Sequence, residues 1–599
     1  MNGMTLASAS RLAVAARATS YGDKRSSKKG KSGGSEGLSD TEWMQKARKL
    51  ANQRAAKFRT ERGAPPVAPN TWRRKRKTDA NDPYADGQFE AARGYDDLPP
   101  RSKRGEDEDE EEQEMTATKG DGLWRVDMAA LSEEDWATQW TMTLEEFKAL
   151  EKEVKANAND PQTALQAFEE AGLRRVSPDI AAGMLKMIAD VAKKARTDRE
   201  ELAGLRRDSR VAHLLGTCVA AARRNSDALT PNKLSAAAWS LAIISGERAN
   251  SAEMEVLAER AALVVSEMKP RACADLAWAL ASCRHASPAF FNGLDVRFAT
   301  EGLKKFKVFD VSTLVWAFAH LGHGSDGLRD GLEDWFVGAS SESVSDADAA
   351  AAASALAKKF TPQALVTTAW SLSVIGAEAM RSRAFKALWG EIGRLGGEVN
   401  DADAVAKEAL LAESGDKIVF GPWRGKHLNQ INQCVVSVDA CGGCDALGLA
   451  PLAEPLRVAA SNAWMAQRRP PVVSWYQRDV ASILSYMGEK HEEEAVCAGY
   501  RVDLHIPKPI GIDDATHKAA ARAGVAVEVD GPSHFARNDA TTSLGQTRLK
   551  HRQLRSLGFA VVSVPVSEWE YLETSEEKVE YLRRGIAHAA AVCAGEGAQ

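Results

Sequence analysis

Cysteine is scarce in this chain, with eight in 599 residues, and no run of eighteen apolar residues occurs anywhere. The first shortage argues against a small secreted scaffold held by disulfides, so reduced thiols are expected. The second excludes a membrane-spanning helix. An excess of either charge is missing as well, since 78 Lys and Arg face 83 Asp and Glu for a net charge of -5. That balance is unusual for a nucleic-acid binder, but it is not uniform. Residues 1–80 hold 19 basic against 6 acidic side chains, a surplus of +13 that the remainder offsets. The length exceeds what one compact core covers, so several domains or one elongated array are expected.

Acid is also absent from the first twenty residues, MNGMTLASASRLAVAARATS, whose only charges are Arg11 and Arg17; Asp23 is the first carboxylate. That composition reads as an organelle transit peptide over 1–22. From 23 to 120 the chain is rich in Gly, Ser, Pro and both charges and is too poor in apolar surface to offset the entropy of ordering, so it reads as a disordered linker. Within it, Arg73–Lys77 suits a nuclear address or a phosphate-binding tail. Glu106–Glu114 is nearly all acid and solvated. Among the cysteines only Cys441 and Cys444, near Cys434 and His427, show metal-like spacing, and a lone C-x-x-C lacks the second ligand pair that zinc needs.

The region 121–227 reads as helical with degenerate repeats, and 228–397 carries the clearest repeat. Four tryptophans stand in matching contexts, LSAAAWSLAIISG at Trp239, CADLAWALASC at Trp278, STLVWAFAHLG at Trp316 and LVTTAWSLSVIG at Trp370, at intervals of 39, 38 and 54 residues. Pro231, Pro270 and Pro362 precede three of them by eight residues, the place for proline in the first turn of a helix. Ala252–Met268 and Ser287–Phe306 read as partner helices, and Ser345–Lys359 accounts for the long third interval as an inserted helix or loop. Paired helices at this period stack into an α-solenoid. The tryptophans are expected in its core. Seven and three residues before them the side chains vary: Asn232, Arg271 and Gln363 in the first place, Asp275, Thr313 and Thr367 in the second. These six are the array's candidate ligand-contacting residues. The flank 398–470 again reads as helical.

In the terminal region, 471–599 with a core of about 525–585, Val525–Asp530 alternates Val525, Val527 and Val529 on one face with Glu528 and Asp530 on the other, the pattern of a strand. Gly531–Pro532 ends it. A helix follows from about Gln546 to Leu557, Gly558 takes the left-handed position after it, and Phe559–Val564 is a second strand. Such a crossover makes the two strands parallel neighbours. Tyr500–Ile506 supplies a third strand, so Asp503, Glu528 and Asp530 converge.

These residues, EVDGPSHF followed by TRLKHRQLRSLGFAVVSVPVSEW, resemble the RAP domain, an RNA-associated module of organelle proteins. The tryptophan repeat resembles the octotricopeptide repeat, which often precedes a RAP domain. The resemblance implies a mainly α chain, an α-solenoid followed by a small α/β module of restriction-endonuclease-like fold, located in a mitochondrion or chloroplast. Nucleases of that fold pair an Asp with Glu-x-Lys around a divalent cation. Asp530 stands here at the place of the Lys. A catalytic set would therefore be Asp503, Glu528, Asp530 and Lys550, with Asp503 and Glu528 holding Mg²⁺; without catalysis no cofactor is required, and the acids would pair with Arg548 or Arg552. His534, Arg537, Arg548 and Arg552 are the module's candidate RNA contacts. Three functions fit: a binder of single-stranded organelle RNA, working with the ribosome or other RNA-processing proteins; a Mg-dependent endoribonuclease; or a structural subunit of an organelle ribosome.

Overall fold

The computed structural model describes residues 138–249, 251–338, 345–399, 419–466, 473–497, 499–510 and 521–595. The expected transit peptide, the charged linker and its Arg73–Lys77 run lie outside them.

Proline opens several of the helices that organise the molecule, those at Pro178, Pro231, Pro270 and Pro362 among them. α1 (Leu144–Asn157) and α2 (Pro161–Glu170) lead into α3 (Pro178–Ala195), α4 (Arg199–Arg207), α5 (Ser209–Arg223), α6 (Pro231–Ser245), α7 (Ser251–Val264), α8 (Pro270–Ser282), α9 (Pro288–Glu301), α10 (Val308–His320), α11 (Asp326–Val337), α12 (Asp346–Ala357), α13 (Pro362–Ile375), α14 (Arg383–Gly397), α15 (Gly425–Ala440) and α16 (Glu454–Met465). At α3 and α13 the residue before the proline, Ser177 or Thr361, also caps the helix by accepting from the backbone N–H of Ile180 or Ala364.

Two rows result. Helices α3, α6, α8, α10, α13 and α15 pack each on the next as an inner row, and α5, α7, α9, α11, α14 and α16 pack one on the next as an outer row. The array therefore continues past the four tryptophan copies into both flanks. The long third interval holds α12, an extra helix between α11 and α14. The tryptophans occupy one slot in successive inner helices and are buried, as the repeat demands. Lys186 stands in that slot in α3 with its ammonium 3.3 Å from the Trp239 ring centroid. Gln433 stands in it in α15, accepting from Trp370 Nε1 at 2.6 Å. No such substitution is visible from tryptophan spacing, although Pro178 precedes Lys186 by the same eight residues.

The terminal module contains α17 (Trp475–Tyr486), β1 (Glu492–Cys497), β2 (Tyr500–Ile506), β3 (Val525–Asp530), α18 (Gly545–Ser556), β4 (Ala560–Pro565) and α19 (Ser575–Cys593). Its sheet runs β1-β2-β3-β4. The pairs are antiparallel except β3 with β4, which are parallel across the α18 crossover. Gly558 has φ +93, the left-handed turn needed to leave α18. Both faces of β3, the valine face and the Glu528–Asp530 face, are buried along all six residues. Helices cover the sheet, so the alternation of Val with Glu and Asp separates an apolar interior from a polar interior.

Candidate nucleic-acid interface and acidic cluster

α18 has two apolar faces, which explains its uneven leucine spacing. Leu549, with Leu544 before the helix, joins the continuous apolar core of the helix rows, whereas Leu554 packs with Tyr500, Val502, Ala526, Phe559 and Val561 in the core of the module. The helix thus lies against α10, α13 and α15. Contact is close enough that a Cβ on Gly545 would sit 1.7 Å from the Ala319 carbonyl oxygen and 2.8 Å from Val374 Cγ1. Only glycine allows that approach.

Polar groups of the same stretch meet the carboxyl ends of successive inner helices. Arg537 donates from Nη1 to the Ala249 carbonyl at 2.9 Å and from its backbone N–H to the Arg284 carbonyl at 2.7 Å. Asn538 pairs with both backbone groups of Ala286, each at 2.8 Å. Arg548 donates to the Gly322 carbonyl, just past α10. Arg552 donates to the carbonyls of Ser373 and of Val374 at the end of α13. Gln553 reaches the Gln433 carbonyl at 2.6 Å and Ser437 Oγ at 2.7 Å in α15, and Tyr500 donates to Gln553 Oε1. Helix carboxyl ends carry unsatisfied carbonyls and partial negative charge, and guanidinium groups complement both. Three arginines expected to face RNA thus reach the array's own backbone. Nothing in their sequence spacing marks those distant carbonyls. Asn538, Gln553 and Tyr500 were equally invisible.

The amino-terminal halves of the inner helices lie away from these contacts. Asn232 accepts from the Lys269 backbone N–H at 3.0 Å, joining one repeat to the next, as Asp179 does for Thr230 at 2.7 Å. Arg271 and Asp275 form an ion pair of 2.9 Å, with Asp310 at 3.7 Å from the same guanidinium. The guanidinium carbon lies 4.4 Å from the Phe309 ring centroid. Thr313 is half-buried and bonds back to the Phe309 carbonyl at 2.8 Å. Gln363 is half-buried and Thr367 buried. Lys193 joins Lys186 near Trp239; burial, then the neighbouring Lys186, pulls its ammonium down to about 8.

The expected acidic set does assemble. Asp503, Glu528, Asp530 and Lys550 meet on the sheet, with the three carboxylates buried. Lys550 Nζ donates to Glu528 Oε2 at 2.6 Å and to the Arg501 carbonyl at 2.8 Å. Asp503 Oδ2 accepts from the Val529 backbone N–H at 2.7 Å. Asp530 lies 2.5 Å from His534 Nδ1 and accepts from Ser563 Oγ, and His551 Nε2 approaches to 3.8 Å. The pairing of these acids with Arg548 or Arg552 does not occur; Lys550, His534 and Ser563 are the partners. Burial pushes Asp503 up to about 8, with Glu528 adding to the rise. Burial also raises Glu528 to about 7, against the pull of Lys550. For Asp530 burial acts in the same direction, but His534, His551 and Ser563 together outweigh it, holding the carboxyl at about 2.

A divalent cation needs several outward oxygen ligands and room for water and substrate. Here one oxygen of Asp503, one of Glu528 and both of Asp530 are engaged by protein donors. Among the described residues no group of three or more His, Cys, Asp or Glu is arranged to hold a metal ion. Glu528 Oε1 is buried without a hydrogen-bond partner, but a single such oxygen falls short of the ligand set that Mg²⁺ takes. Cys434 is buried with Sγ 3.9 Å from Ser373 Oγ, Cys441 and Cys444 are half-exposed, and no disulfide links any of the eight cysteines.

Residues 527–584 match the family model of the RAP domain, so the carboxyl-terminal module is a RAP domain. A RAP domain-containing protein, chloroplastic, from Oryza sativa subsp. japonica is 27% identical over 375 residues, covering 59% of this chain and 52% of that protein. The FAST kinase domain-containing protein 3, mitochondrial, of Mus musculus is 40% identical over 78 residues, 13% of this chain and 11% of its own length. The protein of the same name from Bos taurus is 40% identical over 75 residues, 12% and 10%. The chain spans about half the length of the rice relative and about a tenth of the mammalian ones. The organelle location expected from the first residues agrees with the names of all three.

Proposed function

We propose that this chain, which ends in a RAP domain, is an RNA-binding factor of organelle gene expression. The helix array holds single-stranded RNA along the amino-terminal halves of its inner helices, and the RAP domain braces the carboxyl-terminal halves. The observation that carries this reading is the repetition of one surface position in successive inner helices. Asn232, Arg271, Phe309 and Gln363 are equivalent residues in α6, α8, α10 and α13, beside a patch containing Lys186 and Lys193. Polar and aromatic side chains at repeat spacing suit unstacked bases, one per unit, and the cations suit phosphates. The array is the proposed counterpart of octotricopeptide repeats, and the bound transcript would be stabilised, processed, spliced or translated. The buried acids take a structural part, since each of Asp503, Glu528 and Asp530 accepts from at least one neighbouring donor.

Ultraviolet crosslinking in the organelle, with bound RNA positions mapped and crosslinked peptides sequenced, tests this. The expected result is a footprint spanning several repeats, with peptides from the starts of α6, α8 and α10, and affinity falling steeply with salt. A footprint of about two or three nucleotides, carried by RAP-domain peptides alone, would contradict an array that reads RNA.

A further inference from the structure

Phe309 is a large aromatic left 38% exposed on the first turn of α10, whereas the four repeat tryptophans are buried. Beside it, the Arg271 side chain is 50% exposed and its Asp275 partner 17%. Both belong to α8, one turn apart. Asp310, from the neighbouring helix, adds a second, longer ion pair to the same guanidinium at 3.7 Å. The result is an aromatic face, a planar cation and a carboxylate at one open place.

From this geometry we infer that the second tryptophan repeat, Pro270–Ser282 with the start of α10, is a guanine-binding subsite; the inference rests on the RNA-binding reading above. Guanine presents two adjacent N–H donors on its Watson–Crick edge and two acceptors, O6 and N7, on the neighbouring edge. A carboxylate accepts from the first pair and a guanidinium donates to the second. Asp275 and Arg271, 2.9 Å apart, offer acceptor beside donor in that order. Adenine and the pyrimidines lack the paired N–H groups, so an ionised carboxylate meets at least one acceptor in each. Phe309 supplies the stacking face, with the larger purine area favoured. Thr313, one turn further along α10, bonds its own backbone and adds no competing selection. The neighbouring repeats are chemically different. Asn232 is engaged by Lys269, and Thr367 is buried, so the second repeat is where base choice is strongest.

The test uses the full chain and a random-sequence single-stranded RNA pool, with the retained fraction sequenced. The wild type should enrich a motif containing one fixed guanine. Asp275→Asn and Arg271→Ala should each relax that position alone, lowering discrimination by roughly 5- to 100-fold, while far-UV circular dichroism stays unchanged. With wild-type protein, inosine, which lacks the N2 amine, and 7-deazaguanine, which lacks N7, should each weaken binding when placed at that nucleotide. Phe309→Leu should weaken binding of every base without changing which is preferred. A motif whose guanine survives both substitutions, or one with no fixed guanine, overturns the subsite and leaves RNA binding standing. Failure of the wild type to retain any RNA overturns both.

Discussion

The two ends of the same inner helices differ in what meets them. At the carboxyl ends, backbone carbonyls are met by Arg537, Arg548 and Arg552 of the RAP domain, and the contact is sealed by Leu549 and by the absence of a side chain on Gly545. At the amino ends, Asn232 and Asp179 join one repeat to the next, and Arg271, paired with Asp275, and Phe309 keep part of their surface exposed. One end is closed by chemistry that any helix offers, its unsatisfied carbonyls. The other displays side chains that vary from repeat to repeat. A stacked array can thus be braced without using up the surface that distinguishes one unit from the next.

Changes at the closed end should cost stability, and changes at the open end affinity. Leu549→Ala should have the largest effect, about 2–5 kcal/mol from the cavity left between array and module, read as a lower urea midpoint. Gly545→Ala follows at about 1–3 kcal/mol, because the added methyl has no room against Ala319; a midpoint equal to wild type would show that α18 does not dock this closely. Arg552→Ala, which strands two helix-end carbonyls, should cost about 1–3 kcal/mol. Arg271→Ala should change stability by no more than about 0.5 kcal/mol while lowering RNA affinity. If it unfolds the chain as Leu549→Ala does, the two ends are not distinct.

The acidic cluster belongs with the closed side and gives it a pH dependence. Asp503 and Glu528 have folded-state pKa values raised to about 8 and about 7, so the folded chain holds protons that the unfolded chain has already released. Stability contributed by these groups therefore falls as pH rises from about 4.5 to about 8. Asp530, held at about 2, contributes in the opposite sense, with stability present above the unfolded carboxylate range and lost only as pH falls toward 2. Urea midpoints at pH 5.5 and 8 should show the RAP domain weaker at the higher value. Asp503→Asn, which removes the larger of the two shifts, should flatten that difference.

How much of this was legible in the sequence follows from what each feature depends on. The tryptophan period was visible because one buried slot recurs in successive helices and because Pro231, Pro270 and Pro362 mark the helix starts. The extent of the array was less visible, since Lys186 and Gln433 fill the slot at its flanks. The strands, the crossover helix and the convergence of Asp503, Glu528 and Asp530 could be read from local alternation and from the turn residues. Their burial could not, because a polar interior and a solvent face leave the same alternation. The docking of the RAP domain was illegible: Arg548 and Arg552 meet backbone oxygens of Gly322, Ser373 and Val374, and a carbonyl carries no residue identity for a pattern to detect.

Hydrogen–deuterium exchange of the full chain, with and without a bound single-stranded RNA, tests the division of the inner helices most directly. The account predicts that 545–556 is protected already in the free protein and unchanged by RNA, while 231–238, 270–276 and 308–313 slow on binding. RNA-induced protection confined to 545–556, with the helix starts unaltered, would contradict it.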